Sequence, residues 1–407
     1  MNVLVINAGS SSVKYALVHH VDEGGSMTLA EGIVERIGGE STRLKGERYG
    51  DAPAELKRAA PEVRSAEDAL KVIAEVLTSG PTAVIGSLDE IHAVGHRVVH
   101  GGDVYADTVI IDEAVKDTVR ELAELAPLHN PPNLLGIEAA ERLLPGRPHA
   151  AVFDTAFHST MPPEAYLYGI PLALARERRI RRYGFHGTSH KYVSHRAVEL
   201  LGDAPSGRII TAHIGNGASL AAVRDGRSID TTMGFTPLEG VMMGTRSGTV
   251  DPALPLYLIE HVKMAPQEVD RLLNRQSGLL GVAGIGSGDL RDVLEAADAG
   301  NEDASTAFAL YVYRIVTAIG ALSAALGGLD ALVFTAGAGE NSPALRAAVC
   351  ERLGYLGIAL DPDKNGSTRT DGDVSAPDAT CRVLVITTQE DEMIARETLR
   401  VLEEGSA

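Results

Sequence analysis

The same local pattern occurs in both halves of the sequence. Residues 3–18 (VLVINAGSSSVKYALV) and 209–223 (IITAHIGNGASLAAV) each pass from an apolar run through a turn of Gly, Ser and Asn into a second apolar run. Residues 331–342 (ALVFTAGAGENS) repeat the first run and a Gly-rich turn. A hairpin turn of this composition exposes backbone N–H groups and small hydroxyls, which can hold a phosphate group. The repeat therefore indicates a duplicated nucleotide-binding core, with two ordinary hairpin turns as the alternative.

Strand-like runs alternate with helical patterns along the whole chain. The strand-like runs are 3–6, 151–157, 208–214, 331–337 and 382–388, and the helical stretches include 61–79, 112–126, 303–326 and 390–404. This alternation is typical of α/β domains with buried sheets. Residues 40–60 are polar and rich in Gly, Arg and Glu, which indicates an excursion on the surface. A chain of 407 residues more naturally makes two domains than one.

The composition excludes several classes of protein. Hydrophobic residues make up 44% of the chain and charged residues 23%, which is the globular range rather than that of a disordered chain. A net charge of −18 disfavours nucleic acid and anionic membranes as partners, and a small anionic ligand then needs a local positive pocket. The chain has two cysteines, Cys350 and Cys381, which are too few for a disulfide framework, and neither belongs to a CxxC pair. A reducing, cytoplasmic compartment is therefore expected.

No targeting segment or membrane span is expected. The start, MNVLVINAGSSS, lacks a basic region, and its apolar run ends at Asn7. Residues 318–339 are the best candidate for a membrane span. Gly327, Gly328 and Asp330 divide this segment into a helix end and a short strand, which argues against a membrane helix.

The first Gly/Ser turn does not match the common nucleotide-binding motifs. Residues 7–12 (NAGSSS) are followed by Lys14, at a strand position from which it could reach back toward a phosphate. Neither GxxxxGK[ST] nor a GxGxxG opening a helix occurs here, so P-loop and Rossmann folds are disfavoured. The alternative is a polar turn with a surface lysine.

Arginines in Gly-rich surroundings could supply a positive pocket. Arg97 lies in GHRVVHGG (95–102) and Arg246 in GTRSG (244–248). A buried guanidinium is the best side chain for holding a carboxylate or phosphate bidentately, although Arg97 could equally be a surface strand residue. The run RERRIRRYG (176–184) is expected to be a solvated surface with salt bridges rather than a nucleic-acid site.

Further candidates follow apolar strands or precede helices. Asp154 lies near the end of the apolar strand in AVFDTAFH (151–158), where it could hold Mg²⁺ or orient a neighbour, or act only as a helix cap or turn residue. His186 and His190 lie four residues apart, but Gly187 and a missing third ligand disfavour a metal site. We expect His186 to act beside phosphate as a positive or hydrogen-bonding group, with a capping role for Thr188 or Ser189.

Two candidate groups lie toward the end of the chain. Asn341, in TAGAGENS (335–342), could contact a base or ribose. Glu390 and Asp391 open the last helix, as ordinary first-turn acids or, for one of them, as a carboxylate directed at a metal.

The motifs together resemble the acetate kinase family over essentially the whole chain. They are NAGSSSVK, GHRVVHGG, PLHNPPN, FDTAFH, YGFHGTSHKYV, HIGNGAS, MGTRSG, FTAGAGENS and IARET, in this order. The resemblance implies duplicated ribonuclease H-like (actin-like ATPase) α/β domains with a nucleotide cleft between them. The implied first domain comprises residues 1–150 plus 385–407, and the second, 151–384, carries most nucleotide contacts.

The resemblance also implies an activity. It is the reversible, direct transfer of the ATP γ-phosphoryl to acetate, giving acetyl phosphate and ADP, with Mg²⁺ (or Mn²⁺) in a cytoplasmic homodimer. Arg97 and Arg246 are implied to grip the carboxylate and the moving phosphoryl, and His186 to stabilise the transition state. Asn7, Glu390 and the catalytic Asp154 are implied to surround the metal and phosphates. Val99, Leu128 and Pro237 form the implied acetate pocket, His129 lines the cleft, and the implied phosphate and nucleotide contacts are Ser10, Ser12, Lys14, His213, Asn216, Gly217, Asp289, Arg291, Gly337 and Asn341.

Some positions depart from the family pattern, and two alternatives stay open. Thr249 stands where many relatives carry an acidic residue, and Gln389 and Asp391 depart from the commoner TNEE, although Glu390 is retained. Leu290 replaces a Phe or Met. A kinase for propionate or butyrate would use the same residues, and only pocket volume distinguishes it. An ATP-switched binding protein of the Hsp70 or actin kind would need an extra domain or a polymerisation surface.

Overall fold

The computed structural model describes residues 1–21, 25–368 and 370–405. The chain divides into two compact units. Unit 1 comprises Met1–Phe157 and Gln389–Ala407, and unit 2 comprises His158–Thr388.

Unit 1 is built on a sheet of eight strands in the order β5-β4-β3-β2-β1-β6-β8-β7. The strands are β1 (Asn2–Ala8), β2 (Ser12–Val21), β3 (Gly25–Glu35), β4 (Arg43–Arg48), β5 (Ala54–Ala59), β6 (Ala93–Val98), β7 (Val109–Ile110) and β8 (His149–Phe153). Its helices are α1 (Ala66–Thr78), α2 (Glu113–Glu121), α3 (Asn130–Leu143) and the last helix of the chain, α15 (Glu390–Glu404). Strands β1, β6 and β8 are parallel, and the other pairs are antiparallel.

The central strand of this sheet is buried on both faces, because its alternating side chains meet different helices. Leu4 and Ile6 of β1 belong to a core that includes the apolar faces of α1 and α3. Val3 and Val5 point the other way and pack with Ile394 and other apolar residues of α15. Such a continuous apolar run is typical of a strand covered by helices on both faces. The last helix is therefore part of the unit 1 core.

Unit 2 is built on a sheet of six strands in the order β11-β10-β9-β12-β14-β13. The strands are β9 (Arg208–Ile214), β10 (Ala218–Arg224), β11 (Arg227–Thr231), β12 (Ala331–Thr335), β13 (Gly372–Asp373) and β14 (Arg382–Val385). The helices are α4 (Pro163–Tyr166), α5 (Leu172–Glu177), α6 (Gly187–Leu201), α7 (Ala253–Glu260), α8 (Pro266–Arg275), α9 (Gly278–Ala283), α10 (Leu290–Asp298), α11 (Glu302–Leu326), α12 (Ala336–Asn341), α13 (Pro343–Cys350) and α14 (Pro362–Ser367).

The two sheets share one topology. The order β3-β2-β1-β6-β8-β7 in unit 1 corresponds, pair by pair and direction by direction, to β11-β10-β9-β12-β14-β13 in unit 2. The hairpins expected from the sequence repeat are β1–β2 and β9–β10. The expected α/β duplication is therefore confirmed at the level of strand order.

Two expectations about local structure are wrong. Residues 40–60 are more than a surface excursion, because β4 and β5 extend the unit 1 sheet, and the polar side chains alternate with buried Leu44 and half-buried Leu56. The Gly-rich segment after β12 is a short helix, α12, rather than a hairpin turn.

The apolar segment at 318–339 is divided as the sequence predicts. Helix α11 ends at Leu326, Gly327 adopts a left-handed conformation with φ 71°, and β12 begins at Ala331. Within the described part of the chain, α11 alone has the length and composition of a membrane span. It lies against α9, α10 and β10 of unit 2 and buries side chains from Ala304 to Leu326 there.

Candidate active site

The carboxyl ends of three neighbouring parallel strands bring predicted site residues of unit 1 together. Ile6 of β1 pairs with His96 of β6, so Asn7 and Arg97 follow at the same level of the sheet. On the other side of β6, the Asp154 backbone N–H donates to Val98 O at 3.0 Å. Such an edge is where α/β sheets present their ligand groups.

Arg97 and Asp154 form a two-point ion pair. Arg97 Nε donates to Asp154 Oδ1 at 3.0 Å and Nη2 to Oδ2 at 2.6 Å. Asp154 is 1% exposed. Burial alone would lower the pKa of Arg97, but the charges of Asp154, Glu390 and Asp391 raise it above its ordinary value. Arg97 is therefore held in one orientation and stays charged, and both Asp154 oxygens contact this arginine.

Two buried asparagines hold the loops on either side of Arg97. Asn133 Nδ2 donates to Ala8 O at 2.7 Å, and its Oδ1 accepts from Val99 N at 3.0 Å. Asn130 accepts from His100 N at 3.2 Å and donates to His100 O at 3.1 Å. Sequence reasoning missed both residues, although the PLHNPPN motif contains them. A buried amide that serves two backbone groups fixes a loop rather than a ligand.

The remaining predicted residues of unit 1 differ in exposure. Gly9 N donates to Ser12 O at 2.8 Å and closes the first hairpin turn, in which Ser10 and nearby Lys14 are exposed. Val99 is only 7% exposed, whereas Leu128 is 62% exposed. His129, placed at the cleft by the resemblance, is the residue that precedes α3.

Carboxylates surround the start of α15. Burial, and next the charge of neighbouring Glu390, raise the pKa of Asp391 to about 6. Carboxylate and amide oxygens, such as those of Glu390 and Asn7, are the donors that Mg²⁺ prefers, and a cation would relieve this repulsion. Over the described residues, no group of three or more His, Cys, Asp or Glu side chains is arranged as a metal site. The donor chemistry of Glu390 and Asn7 fits a Mg²⁺ ion.

In unit 2, His186, His213 and Arg246 lie around the second Gly/Asn turn. His186 precedes α6 and has a left-handed backbone conformation with φ 56°. Its ring stacks on the ring of His213, with the two ring centroids 4.1 Å apart. A Cβ added at Gly217 would lie 3.4 Å from Arg246 Nη1 and 3.6 Å from His186 Nε2. Any side chain at 217 would therefore fill the space between these two nitrogen donors.

A fixed loop positions Arg246. Arg246 Nη1 donates to Pro237 O at 3.2 Å, and burial lowers the pKa of Arg246. Arg182 Nη2 donates to Glu239 Oε1 at 2.7 Å, and its Nη1 donates to Thr231 O at 2.8 Å. The run 176–184 is thus not solely a solvated surface, because Arg182 clamps the loop that carries Pro237. The expectation failed because the partner carboxylate lies 57 residues further along the chain.

Ser189 does not cap α6. Its Oγ bonds His213 Nδ1 at 2.8 Å and Thr388 Oγ1 at 2.9 Å, and His186 occupies the capping position. Thr188 is buried within the first turn of the helix. The expected capping role of Thr188 or Ser189 is wrong, since His186, with its positive φ, precedes the helix and α6 begins two or three residues earlier than expected.

A cavity of about 540 Å³ in unit 2 is lined by five of the ten predicted phosphate and nucleotide contacts. It is lined by Gly215, Asn216, Gly244, Thr245, Leu279, Gly288, Asp289, Leu290, Arg291, Tyr311, Gly337, Ala338, Asn341 and Ser342. Arg291 Nη2 donates to Asp289 Oδ2 at 2.6 Å. A Cβ at Gly244 would overlap the amide of Asn216, so this wall requires glycine. Thr245, Leu279 and Tyr311 were not predicted, since Leu279 and Tyr311 belong to none of the motifs, and Thr245, although it lies within MGTRSG, has no distinctive chemistry.

The short helix α12 forms one wall of this cavity and is held at both ends. Glu340 Oε1 accepts from Ala336 N at 2.7 Å, where Ala336 has φ 64°. Arg346, which is fully buried, donates to Gly339 O at 2.9 Å and Glu340 O at 2.6 Å. These contacts satisfy backbone groups at the ends of a very short helix. They explain why a Gly-rich segment folds as a helix here.

Comparison with known proteins shows the family of this chain. The profile of the acetokinase family matches residues 2–396. The chain belongs to the acetokinase family. It is 51% identical over 406 residues to the acetate kinase of Thermotoga maritima, with 99% of each chain covered. The solved structure of the Porphyromonas gingivalis acetate kinase matches with a TM-score of 0.90 at 45% identity, covering 98% of this chain and 99% of that one.

A propionate kinase is also similar to this chain. The solved structure of the propionate kinase from Francisella tularensis gives a TM-score of 0.89 at 37% identity, again covering 98% of this chain and 99% of that one. Acetokinase family members have the duplicated actin-like ATPase fold, so the fold class expected from the sequence is confirmed. The expected family and the enzyme class, a phosphotransferase, are confirmed as well.

Proposed function

We propose that this acetokinase family member transfers the γ-phosphoryl group of ATP directly and reversibly to acetate, giving acetyl phosphate and ADP. The observation that carries the proposal is the position of two donors in unit 2. Arg246 Nη1 and His186 Nε2 lie beside Gly217, and the same turn lines the 540 Å³ cavity through Gly215 and Asn216. ATP bound in this cavity would extend its terminal phosphate along the turn toward both donors.

The chemistry requires alignment and charge stabilisation rather than a base. Acetate is already a carboxylate at neutral pH, so the acceptor needs no proton removed. The transferring phosphoryl group develops charge on its peripheral oxygens, and donors fixed in advance stabilise it. Arg246 is fixed by Pro237 O and His186 by its stack on His213. These residues therefore bind and orient the phosphoryl group without taking a proton.

Unit 1 would supply the acceptor side and the metal ligands. Arg97, held by Asp154, presents its remaining N–H groups to the acetate carboxylate or the phosphoryl group. Mg²⁺, when bound with ATP, would neutralise phosphate charge and draw its protein ligands from Asn7 and Glu390. Asp154 would act mainly through its two bonds to Arg97. We propose that units 1 and 2, whose limits differ by a few residues from the expected 1–150 plus 385–407 and 151–384, are the two domains, and that the reacting groups meet in a cleft between them.

Loss of one arginine tests the electrostatic role. In a coupled assay of ADP formation with ATP and acetate, Arg246→Ala should lower kcat about 10³-fold or more. Arg97→Ala should lower kcat/KM for acetate by a similar factor. Arg178→Ala is the matched control, because Arg178 is exposed and forms an ion pair with the exposed Glu177. A folded Arg246→Ala variant with near-normal turnover would contradict the proposal.

The metal ligand has its own test. Glu390→Ala should shift the Mg²⁺ titration of activity to much higher concentration, because one carboxylate ligand is lost. Glu392→Ala, two residues further along α15, is the control, since Glu392 pairs with Arg396. An unchanged Mg²⁺ titration in Glu390→Ala would refute the role of Glu390.

The acyl group is the part of the substrate that the fold restricts least. The similarity to a propionate kinase supports propionate as a second acceptor. One methylene in an apolar pocket is worth about 1–3 kcal/mol of discrimination, so mixed acetate and propionate activity is expected. The pocket residues we propose are Val99, Leu128 and Pro237. The assay with acetate, propionate and butyrate ranks the three acceptors, and Val99→Ala should move the preference toward the longer acids.

We also propose a homodimer in the cytoplasm. Helix α7 (ALPLYLIE) is apolar yet has no buried residue, and its Leu256 and Tyr257 are 57% and 55% exposed. A second copy of this chain is the partner we propose for this face, because exposed apolar helices favour association. Leu256→Glu should convert the dimer to a monomer in light scattering, whereas Met27→Glu, on β3, should not. Two buried free cysteines, Cys350 and Cys381, are consistent with a reducing compartment.

A further inference from the structure

His186 is the end of a hydrogen-bonded row of four polar side chains in unit 2. His186 Nδ1 and Ser219 Oγ are 2.8 Å apart, and Ser219 Oγ is also 2.8 Å from His190 Nε2. His190 Nδ1 lies 2.7 Å from Thr211 Oγ1. The inner three residues are fully buried, with no exposed surface on Ser219, His190 or Thr211. Water therefore cannot substitute for any of these bonds.

The inner end of the row decides the direction of all its hydrogen bonds. Among the described residues, His190 Nδ1 is the one hydrogen-bond partner of Thr211 Oγ1. If His190 donated to Thr211, the threonine hydroxyl hydrogen would be buried without an acceptor, which is unfavourable. If Thr211 donates to His190 Nδ1, every polar hydrogen of the three buried side chains has a partner within the row. The second arrangement is therefore the stable one.

The donor and acceptor of each remaining hydrogen bond follow from the direction of the Thr211–His190 bond. Burial, with the nearby His158 and His213, lowers the pKa of His190 well below its ordinary value, so the ring is neutral and has a single N–H. With Nδ1 accepting from Thr211, that N–H is on Nε2 and donates to Ser219 Oγ. The Ser219 hydroxyl then has its own hydrogen left for His186 Nδ1. An acceptor Nδ1 leaves the His186 proton on Nε2.

We propose that Thr211, His190 and Ser219 form a relay that holds His186 as a neutral imidazole with its proton on Nε2. The three relay members are positioning residues, and the catalytic consequence rests on the proposed phosphoryl transfer. His186 Nε2 lies on the side of the ring that faces Gly217 and Arg246 Nη1. The relay therefore aims a permanent N–H donor at the place where the phosphoryl oxygens pass. No proton is transferred, because His186 donates a hydrogen bond and keeps its proton.

The tautomer can be measured without any enzyme assay. In protein labelled with ¹⁵N-histidine at pH 8, long-range proton–nitrogen spectra should show His186 protonated on Nε2 only, with the signals assigned through their loss in His186→Gln. Ser219→Ala should give a mixture of the two neutral tautomers. A wild-type His186 protonated on Nδ1, alone or together with Nε2, would overturn the proposal. Because this result does not depend on turnover, it stands apart from success or failure of the proposed reaction.

Kinetics test the consequence for the reaction. Thr211→Val keeps the shape of the buried residue but removes the donor, and Thr211→Ser keeps the hydroxyl. Thr211→Val and Ser219→Ala should each lower kcat about tenfold, the effect of one lost hydrogen bond, with KM for acetate and ATP within about twofold. Thr211→Ser should restore kcat. Ser228→Ala is the control, because Ser228 bonds His158 at 2.8 Å in the same sheet.

Each kinetic outcome has a defined meaning. A loss of kcat in Thr211→Val that Thr211→Ser repairs supports the relay. Equal losses in Thr211→Val and Thr211→Ser, or a loss in Ser228→Ala as large as that in Ser219→Ala, would overturn it, since both would indicate a general packing effect.

Discussion

Buried neutral histidines should make the folded protein sensitive to mild acid, and His100 offers the clearest test. His100 has no exposed surface, and its Nδ1 accepts from Gly102 N at 3.0 Å. Burial, opposed by the charge of Asp103 and aided by His129, lowers the pKa of His100 from 6.5 to about 4. The unfolded chain therefore binds this proton near pH 6.5, and the folded protein binds it only near pH 4.

The size of the effect follows from these two pKa values. Between pH 6.5 and about 4 the unfolded state holds more protons, so stability falls by about 1.4 kcal/mol for each pH unit below 6.5. The His100 contribution is fully present above pH 6.5 and has lost about 2 kcal/mol at pH 5. The lowered pKa values of His96, His149 and His190 add losses of the same sign. Asp391, whose pKa is raised to about 6, opposes them by about 1 kcal/mol at pH 5.

The comparison of two variants isolates His100. His100→Asn keeps an oxygen near the Nδ1 position for Gly102 but cannot take up a proton. Its free energy of unfolding should fall about 2 kcal/mol less than that of the wild type between pH 7.5 and pH 5. Urea unfolding followed by circular dichroism is the suitable assay, because the chain contains no tryptophan. His261→Asn, at an exposed position, should show the wild-type pH dependence. If the free energy of unfolding fell equally with pH in His100→Asn and in the wild type, the proposed effect of His100 on acid stability would be refuted.

Three further substitutions test the packing around the site. Asp154→Asn should cost about 3 kcal/mol in urea unfolding and reduce kcat, because it leaves the buried Arg97 guanidinium without its carboxylate; unchanged stability would show that the pair is not buried in solution. Gly136→Ala should destabilise the protein by about 1–3 kcal/mol, since its Cβ would overlap that of Ala8, and a neutral effect in thermal unfolding would contradict this contact. Gly337→Ala should leave the melting temperature unchanged, because no atom lies within 4 Å of the added Cβ. It should raise KM for ATP, because the added methyl group crowds the nucleotide. An unchanged KM for ATP would indicate that the nucleotide does not bind against α12.

Local sequence patterns were sufficient for the parts of the fold in which local preference and final environment agree. The hairpins at 3–18 and 209–223 alternate apolar residues around Gly/Asn turns, and both formed as predicted. Helix α15 begins and ends where the sequence predicts, because the acids of its first turn complement the helix dipole. In such segments tertiary packing reinforces what each residue already favours.

Elements that depend on particular hydrogen bonds from side chains could not be predicted in this way. Glycines favour a turn at 336–341, but Glu340 and Arg346 satisfy the ends of a helix there. Arg182 belongs to a run of five arginines that looks solvated, yet it binds Glu239 of a later loop. In both cases the deciding hydrogen bond joins residues whose pairing leaves no periodic signal in the sequence.

In the candidate site, too, some residues could be predicted from the sequence and others could not. Residue types with distinctive chemistry, such as Arg97, His186 and Arg246, were identified from their motifs, and the structure places each beside other predicted residues of its own unit. The supporting residues were not identified, although Ser219 lies in HIGNGAS and Asn133 in PLHNPPN, because a serine or an asparagine gives no sign in the sequence of which group it will bond. Only folding brings these hydroxyl and amide groups against the predicted ones.

The position of α15 in the chain has a consequence for protein synthesis. This helix completes the core of unit 1 and carries Glu390, but the ribosome makes it only after the whole of unit 2. While unit 2 is being translated, Val3 and Val5 of the first strand lack their covering helix, and the nascent first half is a natural client for chaperones. Polypeptides released early from the ribosome would lack both the helix and its carboxylate. We therefore expect only chains translated through residue 404 to be active.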